Sequence, residues 1–422
     1  MKKLKLLVAS ALTASMLVGC GSNQLEGKTY TYSAELDIKN LDSSDADDGM
    51  SFSAMHACID GLMGVDEEGN IVPAIAEEHT VSEDGLTHTF KLRDAQWSNG
   101  DEVTANDFVY AWQRIIKNSG NYAYMLGSDG AKVKGADELM AKQAELGEGE
   151  ELTQDDLNTL QAVAVDDKTF QVTLTSPVSY FEELMTFPCY YPINQKFCEE
   201  KGAEYAKSAE NVLSNGAFIM ETWEPGRQAT FSKNENYWNG DVNVDEITVR
   251  TISDGDTLAF ALQAGEINAA YGMAYASYPL FENDDFTFSS AATSRAFYAW
   301  MNFESTVTSD PAVRKAIAMG IDKESFVSVL LNGYGYPAVG AFPDTFSFGG
   351  QNLTTESYDP DGAKKVLEDA GWVDSDGDGI REKDGEKLVI RWLTYPSRQE
   401  LPLLAESAQA TLKEIGMDVQ VN

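Results

Sequence analysis

The chain is poor in basic residues, in histidine and in cysteine, and each scarcity closes off a class of function. Thirty-one Lys and Arg stand against 68 Asp and Glu in 422 residues, a formal charge of −37. A surface this acidic repels phosphate backbones and anionic headgroups, which excludes nucleic-acid binding and docking of the protein body on acidic lipid. Solubility accounts for the acidity itself. Only three histidines are present, His56, His79 and His88, and no HExxH, GxSxG or P-loop sequence accompanies them. Metalloprotease, serine-hydrolase and nucleotidase chemistries therefore lack their residues. Each histidine has an ordinary explanation: His79 and His88 fall near strand edges, where a solvated imidazole is expected. His56 and Cys58 share a helix that ends near Asp60. The chain reads as a non-enzyme. The cysteines are Cys20, Cys58, Cys189 and Cys198, with no CxxC spacing. Setting Cys20 aside leaves an odd number, so no disulfide framework is implied. Cys189 and Cys198 are open to pairing, but buried free thiols are the simpler expectation.

Long apolar runs are scarce as well. One of them, Leu6 to Gly19, follows Lys2, Lys3 and Lys5 and is too short to span a bilayer comfortably. It ends in Leu17-Val18-Gly19-Cys20, which resembles a bacterial lipobox. Residues 1–19 are thus expected to be a lipoprotein signal peptide, with Cys20 as the lipid attachment and Gly21–Gln24 as a polar tether. The expected location is extracytoplasmic, on the outer face of the cell membrane, held by a lipid and not by a span. Removing the leader leaves 403 of the 422 residues, takes the charge from −37 to −40, and leaves enough chain for two or more domains.

The remaining sequence alternates strand and helix patterns. Thr29–Tyr32, Thr87–Arg93 and Thr169–Leu174 alternate as half-buried strands. Asn99-Gly100-Asp101 is a turn, and Thr104 with Asp107 three residues on caps a helix carrying Phe108, Ala111, Trp112, Ile115 and Ile116 on one stripe. Lys134–Thr159 is acidic and helical, broken at Gly147–Glu150. Asp256 is expected to cap a helix over Thr257–Ala264. Asp310-Pro311 and Asp359-Pro360 each read as an N-cap with proline at the first helical position, and Gly371 ends the second of these helices. A helix over Pro402–Ile415 and a strand from Met417 close the chain.

In wording and order, several segments resemble the extracellular solute-binding proteins of family 5, the oligopeptide- and dipeptide-binding lipoproteins of ABC importers. They are Asn40-Leu41-Asp42, Ile59–Met63, Ile71–Glu77, Ala95–Trp112, Ser214–Phe218, Trp223–Gly226, Asn234–Trp238, Gly265–Asn268 and Ala318–Glu324. The resemblance implies an α/β fold, periplasmic-binding-protein-like type II, with two lobes and an extra subdomain in the first. The implied division is lobe I from 20–60 and 191–293, the extra subdomain at 61–190, and an incomplete lobe II at 294–422. Relatives of the family continue beyond the strand at Met417–Asn422, so the second lobe is expected to lack its C-terminal segment, with the aspartate that pairs with a peptide's amino group.

The implied function is an extracytoplasmic substrate-binding receptor, a monomer. It would bind oligopeptides in a cleft between lobes and deliver them to ABC permease subunits, with no cofactor required. Alternatives on the same scaffold are a receptor for a nickel chelate or an oligosaccharide, or a peptide-signal sensor. Backbone pairing of an extended peptide would supply affinity, and hydrated pockets would tolerate its side chains. By position, the resemblance assigns ligand contacts to the loop Asp47-Asp48-Gly49-Met50-Ser51, to Tyr122, to the turn Tyr271-Gly272-Met273, and to Tyr298, Trp300 and Asn302 on a strand entering lobe II. Peptide binders often have asparagines where Tyr271 stands, which puts the specificity in doubt. For the aromatic residues, core packing is an equal expectation.

One motif stands apart from the resemblance. Asp374-Ser375-Asp376-Gly377-Asp378-Gly379 places carboxylates at positions 1, 3 and 5 and glycine at 6, as a calcium loop does. Position 12 is Gly385, so the EF-hand pattern fails there unless Glu382 or Asp384 substitutes. The alternative is an acidic turn preceding a strand at Leu388–Trp392.

Overall fold

Capping and turn chemistry place most elements. The computed structural model describes residues 28–422 apart from 35, 241, 291–294, 344–345, 347–354, 396–397 and 399. The signal peptide and Cys20 expected from the sequence lie outside the described residues. No described helix is long and apolar enough to cross a membrane. The chain divides into two units, one ending at Gly272 and one running Met273–Asn422.

The first unit opens with β1 (Thr29–Ala34), α1 (Gly49–Cys58), β2 (Met63–Val65), β3 (Ile71–Pro73), β4 (Ala76–Val81) and β5 (Thr87–Leu92). It continues with α2 (Ala105–Lys117), α3 (Ala136–Glu145), α4 (Gln154–Leu157), β6 (Ala162–Asp166), β7 (Thr169–Thr173), α5 (Phe181–Leu184) and α6 (Gln195–Lys201). It ends with β8 (Phe218–Glu224), β9 (Gln228–Lys233), β10 (Glu246–Thr251) and α7 (Gly255–Gln263). One sheet has the order β1-β10-β9-β8, with β1 parallel to β10 and the rest antiparallel. A second, wholly antiparallel sheet runs β4-β5-β7-β6.

Each sheet has its own core. Trp97, Phe108, Trp112, Phe90, Phe170 and Phe181 fill the core drawn from Leu62 to Cys198. Met55, Cys58, Tyr191, Met220 and Phe231 fill the other, which takes residues from Ala34–Ile59 and from Tyr191–Val249. The stripe on α2 is the hinge of the first core: Phe108, Trp112, Ile115 and Ile116 are fully buried. Its N-terminus is closed by Asp107, which accepts from the Thr104 amide (2.9 Å) and from the Trp97 indole (3.3 Å). Trp112 donates to the Tyr190 carbonyl at 3.0 Å, so even the largest buried ring leaves no donor unpaired.

The second unit contains α8 (Pro311–Gly320), α9 (Pro360–Asp369), the hairpin β11 (Glu382–Lys383) and β12 (Glu386–Lys387), then β13 (Val389–Trp392), α10 (Glu400–Lys413) and β14 (Asp418–Val421). Strand β13 pairs in parallel with β14, which makes β13-α10-β14 a crossover unit. Val313, Ile317, Leu367, Trp372, Leu412 and Ile415 form its core. Gly320 is needed there: a Cβ would stand 2.8 Å from side-chain carbons of both Leu412 and Ile415. Asp310 and Asp359 cap α8 and α9 as expected, accepting from Ala312 (2.9 Å) and Gly362 (2.8 Å), each with proline first in the helix.

Three expectations need correction. The cap of α7 is Asp254, whose Oδ1 accepts from Thr257 at 2.8 Å; Asp256 lies within the first turn. Residues 295–300 form no strand, because no neighbouring strand pairs with them among the described residues. His79 and His88 are not solvated: His88 is 5% exposed and the His79 side chain 7%. The second unit itself begins at Met273. Tyr275–Leu280 belongs to that unit through Asn332, which donates to the Tyr275 carbonyl (2.7 Å), and through the Tyr278–Tyr334 ring pair (4.7 Å).

Candidate functional site

The residues assigned by resemblance fall into different environments. Asp47-Asp48-Gly49-Met50-Ser51 is not a loop throughout, because Asp48 is the N-cap and α1 begins at Gly49. Asp48 Oδ1 accepts from the amides of Met50 (3.1 Å) and Ser51 (3.0 Å). Ser51 is fully buried. Its hydroxyl donates to Asp48 Oδ2 (2.6 Å) and accepts from the amides of Lys39 and Asn40, both at 3.1 Å. Ser51 and Asp48 thus knit the segment together, and their polar atoms are committed. Asp47 and Gly49 are exposed and Met50 is half-buried. A Cβ on Gly49 would meet nothing within 4 Å.

The structure brings this segment to Tyr122. Asn121 Nδ2 donates to the Asp45 carbonyl at 3.0 Å. The Tyr122 ring meets Phe52, the next residue of α1, at 5.6 Å and Phe187 at 5.0 Å, both edge to face. Phe52 and Phe187 are 5.1 Å apart, and the exposed Tyr124 lies 6.0 Å from Tyr122. These four rings form an aromatic patch beside Asp47. Burial, helped by Tyr124 and the Asp47 charge, raises the Tyr122 phenol above its usual range. Sequence reasoning named Tyr122 and missed Phe52, Phe187 and Tyr124; Tyr124, two residues on, was the one local signal.

The other assigned residues have their own local surroundings. Tyr271 is 69% exposed, Gly272 has φ +86°, and Met273 is buried. In the second unit Tyr298 and Trp300 are exposed, their rings 6.4 Å apart. Asn302 folds a local turn: its Oδ1 accepts from Glu304 (2.9 Å) and its carbonyl from the Thr308 hydroxyl (2.5 Å).

The segment below Asp47 is anchored by charge. Arg114 of α2 grips Asp42 through two bonds, 2.6 and 2.7 Å, with both side chains largely buried. Burial opposes the Arg114 charge, yet the Asp42 carboxylate holds its pKa above the usual value.

His56 and Cys58 form no reactive pair. Burial pushes the Cys58 thiol up to about 12, which keeps it protonated. His56 Nδ1 shares a 2.6 Å hydrogen bond with the Tyr191 hydroxyl, and burial lowers the imidazole pKa. Cys189 and Cys198 are free and buried.

In the acidic turn, ligand atoms of Asp374, Asp376 and Glu382 lie within 4.8 Å of one another. Glu382, which the sequence offered as a substitute ligand, joins the group. Asp378 does not: it pairs with Lys387, which also reaches Asp376 at 3.3 Å. Asp374 accepts from the amides of Gly377 (2.7 Å) and Gly379 (3.0 Å), and Asp376 accepts from that of Asp378 (3.1 Å). One Glu382 oxygen is buried without a partner. The turn is thus partly neutralised by Lys387 from β12.

A family model described as bacterial extracellular solute-binding proteins, family 5 middle, matches residues 70–422. The chain is 30% identical over 442 residues to the oligopeptide-binding protein OppA of Bacillus subtilis, covering 99% of this chain and 76% of that protein. It is 28% identical over 449 residues to the dipeptide-binding protein DppE of the same organism, covering all of this chain and 78% of that one. The structure of Listeria monocytogenes OppA bound to peptide superposes with a TM-score of 0.71 at 26% identity, over 94% of this chain and 77% of that one.

Proposed function

From membership of the bacterial extracellular solute-binding proteins of family 5, to which this chain belongs, we propose that it is the oligopeptide-binding receptor of an ABC importer. It acts outside the cytoplasm and passes peptides to permease subunits without altering them. The supporting observation is the likeness, over 94% of the chain, to a protein whose structure was determined with peptide bound. A lipid on Cys20 would keep the receptor at the membrane, and one copy would suffice for binding. The aromatic patch around Tyr122, with Asp47 beside it, is the proposed contact surface in the first unit. Rings of this kind take peptide side chains through apolar contact and cation–π attraction. Asp48 and Ser51 act there as scaffolding, since their polar atoms are already bonded.

The test is native mass spectrometry of the protein purified without denaturation, followed by peptide titration of Tyr122→Ala and Tyr271→Ala. Retained peptides and at least a tenfold loss of affinity in one variant are expected. A retained metal chelate or sugar would overturn the peptide reading, and unchanged affinity in both variants would overturn the assignment of the patch. The acidic turn is proposed as a calcium site of Asp374, Asp376 and Glu382, secondary to this function.

A further inference from the structure

Aspartates crowd the segment that leads into α1, and the polar atoms of most are committed. Asp42 is held by Arg114 through bonds of 2.6 and 2.7 Å. Asp45 Oδ2 accepts from Asn40 Nδ2 at 2.7 Å. Asp48 caps α1 through the amides of Met50 and Ser51. Asp47 differs: it is exposed, and its carboxylate has no hydrogen bond or ion pair among the described residues.

Two contacts fix this segment against the rings. Asn121 Nδ2 donates to the Asp45 carbonyl at 3.0 Å. Gly120 fits so closely that a Cβ there would run into the Ser44 carbonyl oxygen. Next in the chain, Tyr122 meets Phe52 and Phe187, the three rings 5.0–5.6 Å apart with planes inclined by 63–65°. None of the three is fully buried, and Tyr124 beside them is 48% exposed. Aromatic surface is therefore accessible next to an uncompensated negative charge. After burial and Tyr124, that charge helps to raise the Tyr122 phenol.

The chemistry of an occupant follows by elimination. An acidic side chain would be repelled by Asp47 and by a chain of formal charge −37. An apolar one would gain the rings but strip water from a carboxylate that it cannot pair. A lysine or arginine suits both halves: its stem lies along the rings, its head reaches the carboxylate, and cation–π attraction adds to the ion pair. His56, one turn beyond Phe52 on α1, does not supply that cation. Burial lowers its pKa, and its Nδ1 already shares a hydrogen bond with the Tyr191 hydroxyl.

Resting on the reading of this chain as a peptide receptor, we propose that Asp47 and the rings of Phe52, Tyr122, Tyr124 and Phe187 form a subsite for a basic peptide side chain. Asp47 is the residue that sets the preference.

The experiment is calorimetric titration with alanine pentapeptides that carry one lysine, or one norleucine, at each position in turn. Each is made with a free and with an acetylated N-terminus. At one position lysine should bind about tenfold more tightly than norleucine, as a cation–π contact and an exposed ion pair together provide. That ratio should shrink as ionic strength rises from about 0.01 M to about 1 M, where the screening length falls from about 30 Å to about 3 Å. Asp47→Asn should cut the ratio to about threefold, the part left to the rings, and Tyr124→Leu should also lower it. Glu83→Gln, which removes the same charge from the exposed β4–β5 turn, should leave the ratio as it was. A ratio near one at every position, a ratio indifferent to Asp47→Asn, or an equal loss in Glu83→Gln would overturn the subsite while peptide binding itself stands. A lysine preference that vanishes on acetylation would assign the cation to the peptide's α-amino group and overturn it as well. Failure of every peptide to bind would overturn the receptor reading, and the subsite with it.

Discussion

Replacing Arg114 by methionine isolates the worth of the ion pair beneath the proposed contact surface. Methionine keeps most of the apolar stem, so the change removes charge without opening a large cavity. Asp42 would be left 12% exposed at its side chain, with the Ser44 amide at 3.0 Å as its remaining close backbone donor. With the bonds at 2.6 and 2.7 Å, the charge centres are about 4 Å apart, and at an effective dielectric of about 20 their attraction is about 4 kcal/mol. Stranding one member of a buried pair costs about 3–5 kcal/mol. Loss of about 3 kcal/mol from the first unit is therefore expected in Arg114→Met. The assay is a double-mutant cycle with Asp42→Leu, read as urea midpoints by tryptophan fluorescence. The double variant should recover most of the loss, because no buried charge is left alone. A single-variant loss below about 1 kcal/mol, or a double variant that costs the sum of both singles, would refute the reasoning.

Gly216→Ala should lower the thermal midpoint by the equivalent of about 2 kcal/mol, because its Cβ would stand 2.8 Å from the Cys58 carbonyl carbon and 2.9 Å from the Ile59 amide nitrogen, both backbone atoms. Gly49→Ala, with open space around it, is the control and should not destabilise. Asp107 has its pKa raised by burial to about 6, above the unfolded value near 4. Its proton therefore favours the folded state at low pH, a contribution lost as pH rises through about 6. Asp107→Asn should flatten the stability–pH curve between about 4 and 6 while the acceptor for Thr104 survives, as urea titrations at several pH values would show. Calcium at millimolar concentration should raise the thermal midpoint of the second unit, and Asp374→Asn should abolish the effect. Lys387→Gln should strengthen calcium binding, since the ammonium competes for Asp376 and Asp378; calorimetry without heat would dismiss the site.

Local chemistry was the legible part. The caps at Thr104, Asp310 and Asp359 depend on residues within three positions, and each was readable. The helix stripe of α2 likewise follows from its period. Asp254 and Asp256 flank the same glycine, and pattern alone could not choose between them. Tyr298, Trp300 and Asn302 alternate as a strand would, but alternation needs a ladder partner, and this segment has none among the described residues. The histidines were misjudged because Glu182 lies 103 residues from His79, and Phe181 reaches His88 through the same distant helix. The aromatic patch shows the same limit: Phe52, Tyr122 and Phe187 meet through tertiary contact, with no short spacing to announce them.

The passage between the two cores of the first unit carries a consequence of its own. Chain leaving one core at Gly61 and returning at Tyr191 is in contact with itself: a Cβ on Gly61 would lie 2.7 Å from the Tyr191 ring, whose hydroxyl bonds His56. Entry and exit are side by side, as in a cassette plugged into a socket. Insertions within residues 62–190 therefore need not part the strands of the sheet that receives them, so long as Arg114 keeps its grip on Asp42.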